Sequence, residues 1–256
     1  MSDSNLVNRS RLPNFLYVFI GAMASLCIPI HAQDRMAHVD AAEKLVSELD
    51  SRNNEYAYKD PFIKWKGDAG VEQSSARCDC SAFVTLLLQH TYGYSADQIQ
   101  QWLSRAMPVA RIYHDKIEAG NGFLRVDRID QMKRGDFIAV KYLAGTQEPG
   151  KHDTGHIMVV VQAPTLREAS PPLLADTTQW EVVIIDSSKS GHGPQDTRRK
   201  PDKTFGTGVG RGILRLYADK EGKIAGYSWS TLSVSEFYSP DKHHVVVGRL
   251  DPAFKP

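Results

Sequence analysis

Cysteine is scarce in this sequence, with three in 256 residues. Excess charge is absent too: 31 basic residues stand against 30 acidic ones, for a net charge of +1. That balance leaves no electrostatic footprint for nucleic acid or an anionic surface as partner. There is no internal repeat and no Pro/Gly linker, which excludes a solenoid and favours one domain. With 41% hydrophobic and 24% charged residues, the composition is that of an ordinary globular protein. A long membrane span is also missing. The uncharged, mostly apolar run over residues 15–30 falls short of the about 20 residues a spanning helix needs, and it carries Pro29. Arg9 and Arg11 precede the run, and Ile30-His31-Ala32 closes it on a small residue. Together these read as a cleaved signal peptide over residues 1–32. The expectation is an exported chain, periplasmic or secreted, with one domain over residues 33–256 and no stable membrane anchor after cleavage.

Removing that leader leaves Cys78 and Cys80. They are too close in sequence for a relaxed structural disulfide. At least one thiol is therefore free for chemistry.

The periodicity predicts helices first and strands afterwards. Residues 37–49 place Val39, Ala42, Leu45, Val46 and Leu49 on one face of a helix. Residues 51–76 read as loop. Residues 81–90 form an apolar, buried helix stopped by Gly93, and a further helix spans 96–107, ended by Pro108. Strands are expected over 137–142, 156–161, 180–186, 213–217, 224–229 and 243–250, with a hairpin at Asp219-Lys220-Glu221-Gly222. Residues 187–212, rich in Gly, Ser and charge, read as a long functional loop. Helices followed by a run of strands define an α+β fold, N-terminal helices packed on an antiparallel sheet.

Three segments bring chemistry to that frame. In Asp79-Cys80-Ser81-Ala82-Phe83-Val84 a cysteine stands at the mouth of a buried helix. Asp79 suits the N-cap, because its carboxylate can accept from a first-turn N–H. A thiolate there is favoured by the positive helix end, and nearby backbone N–H groups can receive an oxyanion. Against this stands the plain alternative of a buried structural cysteine. In Gly155-His156-Ile157-Met158 a histidine opens an apolar strand, a rigid platform for a base. The sequence has nine histidines, so His152, His192, His243 and His244 are rivals. In Ile184-Ile185-Asp186 an apolar strand ends in a carboxylate, either a turn-starting Asp or the group that orients the base.

Together these segments resemble the NlpC-type family of papain-like cysteine cell-wall peptidases. Asp79-Cys80-Ser81-Ala82-Phe83-Val84, Gly155-His156 and Ile185-Asp186-Ser187-Ser188 follow that family's order, and Arg134-Gly135-Asp136-Phe137 resembles its Gly-Asp step. The match covers roughly residues 53–186. Ala82 replaces the family's usual glycine, and Asp186 stands where His, Asn or Gln is usual. The resemblance implies hydrolysis of amide bonds in peptidoglycan stem peptides, with Cys80 as nucleophile, His156 as base and Asp186 as orienting group. It places Tyr58, or else Tyr56, with Asp79 and Ser81 at the substrate or oxyanion side. It implies no metal and no cofactor, and a peptidoglycan peptide or other peptide-like substrate as partner.

Other readings stay open. A papain-like or transglutaminase-like amidase of a protein or other amide would use the same Cys–His–Asp order. A non-catalytic binding module could keep the fold. A zinc site on Cys78 and Cys80 is disfavoured, since two to four intervening residues are typical. The run from Gly206 to Gly212 lacks the preceding strand and following Lys-Ser/Thr of a phosphate loop, and reads as a turn or cleft wall.

Overall fold

A computed structural model describes residues 36–143 and 153–256. The signal-peptide assignment and His152 lie outside the described residues. Helix α1, Ala37–Glu48, buries Val39, Ala42 and Leu45. Helix α2, Cys80–Tyr92, is buried on nearly every side of its first two turns. It begins where Asp79 accepts a hydrogen bond from the Ala82 amide at 2.8 Å. It ends at Gly93, whose φ of 69° is the left-handed C-cap for which a side chain is a hindrance. Helix α3, Ala96–Leu103, opens on a capping box between Ser95 and Gln98.

The third helix does not run on to residue 107. Ser104 turns left-handed, and a separate helix α4, Ala110–Glu118, follows. The apolar positions of α4 follow helical spacing, with Ala110, Tyr113, His114 and Ile117 buried.

Residues 51–76 are not all loop. Strands β1 (Asn54–Glu55), β2 (Phe62–Lys64) and β3 (Ser75–Arg77) form a small sheet in the order β1-β3-β2. Strands this short carry too few residues to register as alternation.

The remaining strands are β4 (Phe123–Arg125), β5 (Phe137–Tyr142), β6 (Gly155–Val160), β7 (Thr165–Arg167), β8 (Thr178–Ser188), β9 (Gly208–Ala218), β10 (Ile224–Ser228), β11 (Phe237–Tyr238) and β12 (His243–Leu250). They form one antiparallel sheet in the order β11-β10-β9-β8-β6-β5-β12-β4, with β7 paired to β8. The fold is therefore α+β, with four α-helices and a large antiparallel sheet among the described residues. The expected loop over 187–212 is shorter than that. Its last residues, Gly208 to Gly212, are strand, paired in register with Ser188 to Ile184 of β8.

Alternation along the strands divides the core in two. Phe137, Ala139, Ile157, Val159 and Ile185 face the helices and pack with Phe83, Val84 and Leu87. Ile138, Val140, Met158, Val160, Val182 and Ile184 fill the opposite face with Leu214 and Leu216. The Gly-Asp step before β5 is a structural joint. Asp136 is fully buried and accepts two hydrogen bonds from Arg249 on β12, at 2.7 and 2.9 Å. The Gly135 carbonyl accepts from His38 Nε2 on α1 at 3.0 Å, which leaves His38 Nδ1 to accept from the Tyr92 hydroxyl at 2.7 Å. Among the described residues no helix is long and apolar enough to cross a membrane.

Candidate active site

The α2 N-terminus carries the cysteine. Asp79 holds the first turn through the Ala82 amide and also accepts from the Ser81 hydroxyl at 2.9 Å. The chain just before it is tied to the sheet, because Ser187 Oγ of β8 donates to the Cys78 carbonyl at 2.7 Å. Cys78 and Cys80 are both free and buried. Burial pushes the Cys78 thiol up to about 12, so it is silent at neutral pH.

Strands β6 and β8 pair only at Val159↔Ile185 and Val160↔Ile184. Toward Gly155 no further β6–β8 pairs form, and His156 and Asp186 meet there from the same face of neighbouring strands. Gly155 lets β6 run close against β5 at this point. Its φ is 143°, and a Cβ there would stand 1.9 Å from the Val140 carbonyl oxygen.

His156 Nε2 donates to Asp186 Oδ2 at 2.6 Å. That leaves Nδ1 as the ring nitrogen free to face Cys80, whose charge acts on the imidazole. Burial alone would lower the imidazole pKa. The Cys80 charge, the hydrogen bond to Asp186 and the Asp186 charge outweigh it and raise the value to about 9. The structure thus brings Cys80, His156 and Asp186 together in the order the sequence suggested.

Asp186 has further partners that the sequence reading left out of the site. His192 Nε2 donates to the same Oδ2 at 2.9 Å, and His192 Nδ1 donates to the Trp229 carbonyl at 2.7 Å. Arg198 Nη1 lies 3.0 Å from Asp186 Oδ1. This contact is electrostatic more than directional, since no hydrogen bond reaches Oδ1 among the described residues. Arg198 also makes a two-pronged bond to buried Asp196, at 2.9 and 2.7 Å. Burial pushes the Asp186 carboxyl upward. The charges of Arg198 and His192, with the bonds from both histidines, hold it well below the usual carboxylate range. Trp229 stacks on His192 at 4.3 Å between centroids and meets His156 edge-on at 4.9 Å.

The glycines of β9 explain how this loop reaches the site. Asp186 lies opposite Gly210, and Ile184 opposite Gly212. A Cβ on Gly210 would stand 2.5 Å from Arg198 Nε, and one on Gly212 would stand 2.6 Å from Asp196 Oδ2 and from His192 Cβ. The Gly-x-Gly-x-Gly spacing, alternation with one face stripped bare, was the signal available in the sequence.

A cleft opens on both sides of the Cys80–His156 pair. One part, about 290 Å³, is lined by Asp79, Cys80, Ser81, Ala110 and Thr154. The other, about 330 Å³, is lined by His156, Trp229, Tyr142, Tyr227, Tyr238 and His243. Tyr56, Tyr58 and Asp153 border both. Tyr58 is well exposed, with Lys189 Nζ 4.7 Å from its ring centre. Tyr56 lies deeper, and burial together with the Cys80 charge raises its hydroxyl's pKa.

No protein-family model matches the chain, and no solved structure matches it. A protein of Acanthamoeba polyphaga mimivirus, "Uncharacterized protein R653", is 34% identical over 218 residues, which are 82% of this chain and 94% of the viral one. The chain belongs to the family of that protein.

Proposed function

We propose that this protein is an exported cysteine hydrolase of papain-like, NlpC-type fold that cleaves amide bonds in peptidoglycan stem peptides. The observation that carries the reading is a cysteine at a capped helix start whose charge acts on a histidine held through Nε2 at 2.6 Å from a buried carboxylate. Thiol nucleophile, base and orienting group in mutual reach are what covalent amide hydrolysis requires. The resemblance of the Asp-Cys-Ser and Gly-His segments supplies the substrate class.

In this mechanism His156 Nδ1 takes the proton from Cys80 Sγ. The thiolate attacks the amide carbonyl carbon, and the new oxyanion lies against the first-turn amides of Cys80 and Ser81. His156 returns the proton to the leaving nitrogen as the C–N bond breaks, leaving a thioester on Cys80. Water then attacks the thioester, with His156 as base, and releases the acid and the thiol. Asp186 keeps Nε2 protonated and Nδ1 turned to the sulfur throughout. Tyr58, Asp79 and Ser81 form the rim against which the peptide lies.

The test is incubation of the protein and its Cys80→Ala variant with purified peptidoglycan, followed by mass spectrometry of released fragments. New amide-cleavage products that vanish in the variant support the proposal, and their masses name the bond. An absence of products from the unaltered protein overturns the wall-peptide substrate.

A further inference from the structure

A second cluster lies away from the cleft, between α4 and β12. His114 and Glu118 are four residues apart on α4 and so share a helix face. His244 approaches from β12, with its Nδ1 2.8 Å from His114 Nε2 and 3.9 Å from Glu118 Oε1. One ligand atom from each of the three residues lies within 4.8 Å of the others. His244 borders a surface cavity of about 350 Å³, which gives the cluster access to solvent.

The surroundings set the chemistry. His114 Nδ1 is bonded to Asp115 Oδ1 at 3.1 Å, and Lys141 Nζ fixes that carboxylate at 2.7 Å. The acceptor carboxylate places the His114 proton on Nδ1 and presents the Nε2 lone pair to His244. A carboxylate behind a histidine is the usual second layer of a metal-binding imidazole. Two imidazole nitrogens and one carboxylate suit zinc and similar divalent transition ions, with a fourth position left to water.

We propose that His114, Glu118 and His244 bind one divalent transition-metal ion of the zinc class. The inference is independent of the hydrolase reading. To admit the ion, the His244 proton moves from Nδ1 to Nε2, and the two rings part by about half an ångström, to the spacing of two ligands each about 2.0–2.1 Å from a tetrahedral metal. The bound ion would clamp α4 to β12. Both elements reach the cleft at their N-terminal ends, through Ala110 and His243.

The test uses untagged full-length protein carrying Cys80→Ser, so that no active-site thiolate competes for the ion. Co²⁺ is titrated by visible absorption, and Zn²⁺ stoichiometry is measured after dialysis. The expected result is one ion per chain with nitrogen/oxygen-type bands and no thiolate charge transfer. His244→Ala should abolish stoichiometric binding, and Asp115→Asn should weaken it by about 10–100-fold. Both altered side chains are partly exposed, which keeps the fold out of the comparison. An absence of stoichiometric binding, or binding undiminished in His244→Ala, overturns the proposal.

Discussion

Gly210 lies directly across the β8–β9 ladder from Asp186, and its missing side chain is the space that Arg198 occupies. The carboxylate that orients His156 is thus built from two strands and a loop, and the glycines of β9 are part of the site. Gly210 and Gly212 have ordinary backbone angles, so alanine is conformationally allowed at both. The expected effect of Gly210→Ala or Gly212→Ala is steric, a loss of about 1–3 kcal/mol from overpacking. Denaturant midpoints read it directly, and the hydrolytic rate should fall further than global stability explains.

Asp186 lies against buried Arg198, which is paired with Asp196, and bonds two histidines. Asp186→Asn removes a buried carboxylate that faces Arg198 and bonds both histidines, with an expected loss of about 3–5 kcal/mol. In a folded sample the amide also upsets the His156 proton arrangement, which lowers turnover by up to about 10⁴-fold. Thermal denaturation and single-turnover hydrolysis separate the two effects.

Two histidines give opposite pH dependences. The His38 pKa is lowered to about 4 by burial, so between the unfolded value of 6.5 and about 4 the unfolded chain binds the proton that the folded chain refuses. Stability falls with falling pH across that window, by at most about 3 kcal/mol. His156 is raised to about 9, so its contribution is complete below 6.5 and is lost as pH rises through about 9. Melting curves from pH 4 to 10 should show both slopes. The acid slope should flatten in His38→Asn, and the alkaline slope should flatten in Cys80→Ala.

The start of α2 is held at two points. Asp79→Ala removes the cap at a cost of about 1 kcal/mol, whereas Asp79→Asn retains it. Ser187→Ala removes the bond to the Cys78 carbonyl, also about 1 kcal/mol. Alkylation of Cys80 should slow in the two alanine variants and change least in Asp79→Asn.

What the sequence disclosed depended on how local each determinant is. The Asp79 cap, the Gly93 stop and strands β5 and β12 were legible because each rests on adjacent residues. Helix α4 was not, since Pro108 read as a terminus and His114, a buried member of the apolar stripe, counts as polar. His192 carried no local signal at all. Its ring bonds to the Trp229 carbonyl, 37 positions away, and reaches Asp186 only because β9 lacks side chains on that face. The same glycines made the start of β9 look like loop, because an alternation of glycine and other residues has no apolar period to detect. The metal cluster was hidden for a related reason, as His114 and His244 are 130 positions apart.

The proposed hydrolysis depends on Cys80 acting as a nucleophile activated by His156. The most direct measurement is the rate of Cys80 alkylation by iodoacetamide at neutral pH, followed by peptide mass spectrometry in the unaltered protein and in His156→Ala. Rapid modification of Cys80, none at Cys78, and at least a tenfold slowing in the variant are expected. A Cys80 that stays unmodified, or that reacts equally fast without His156, would contradict that activation.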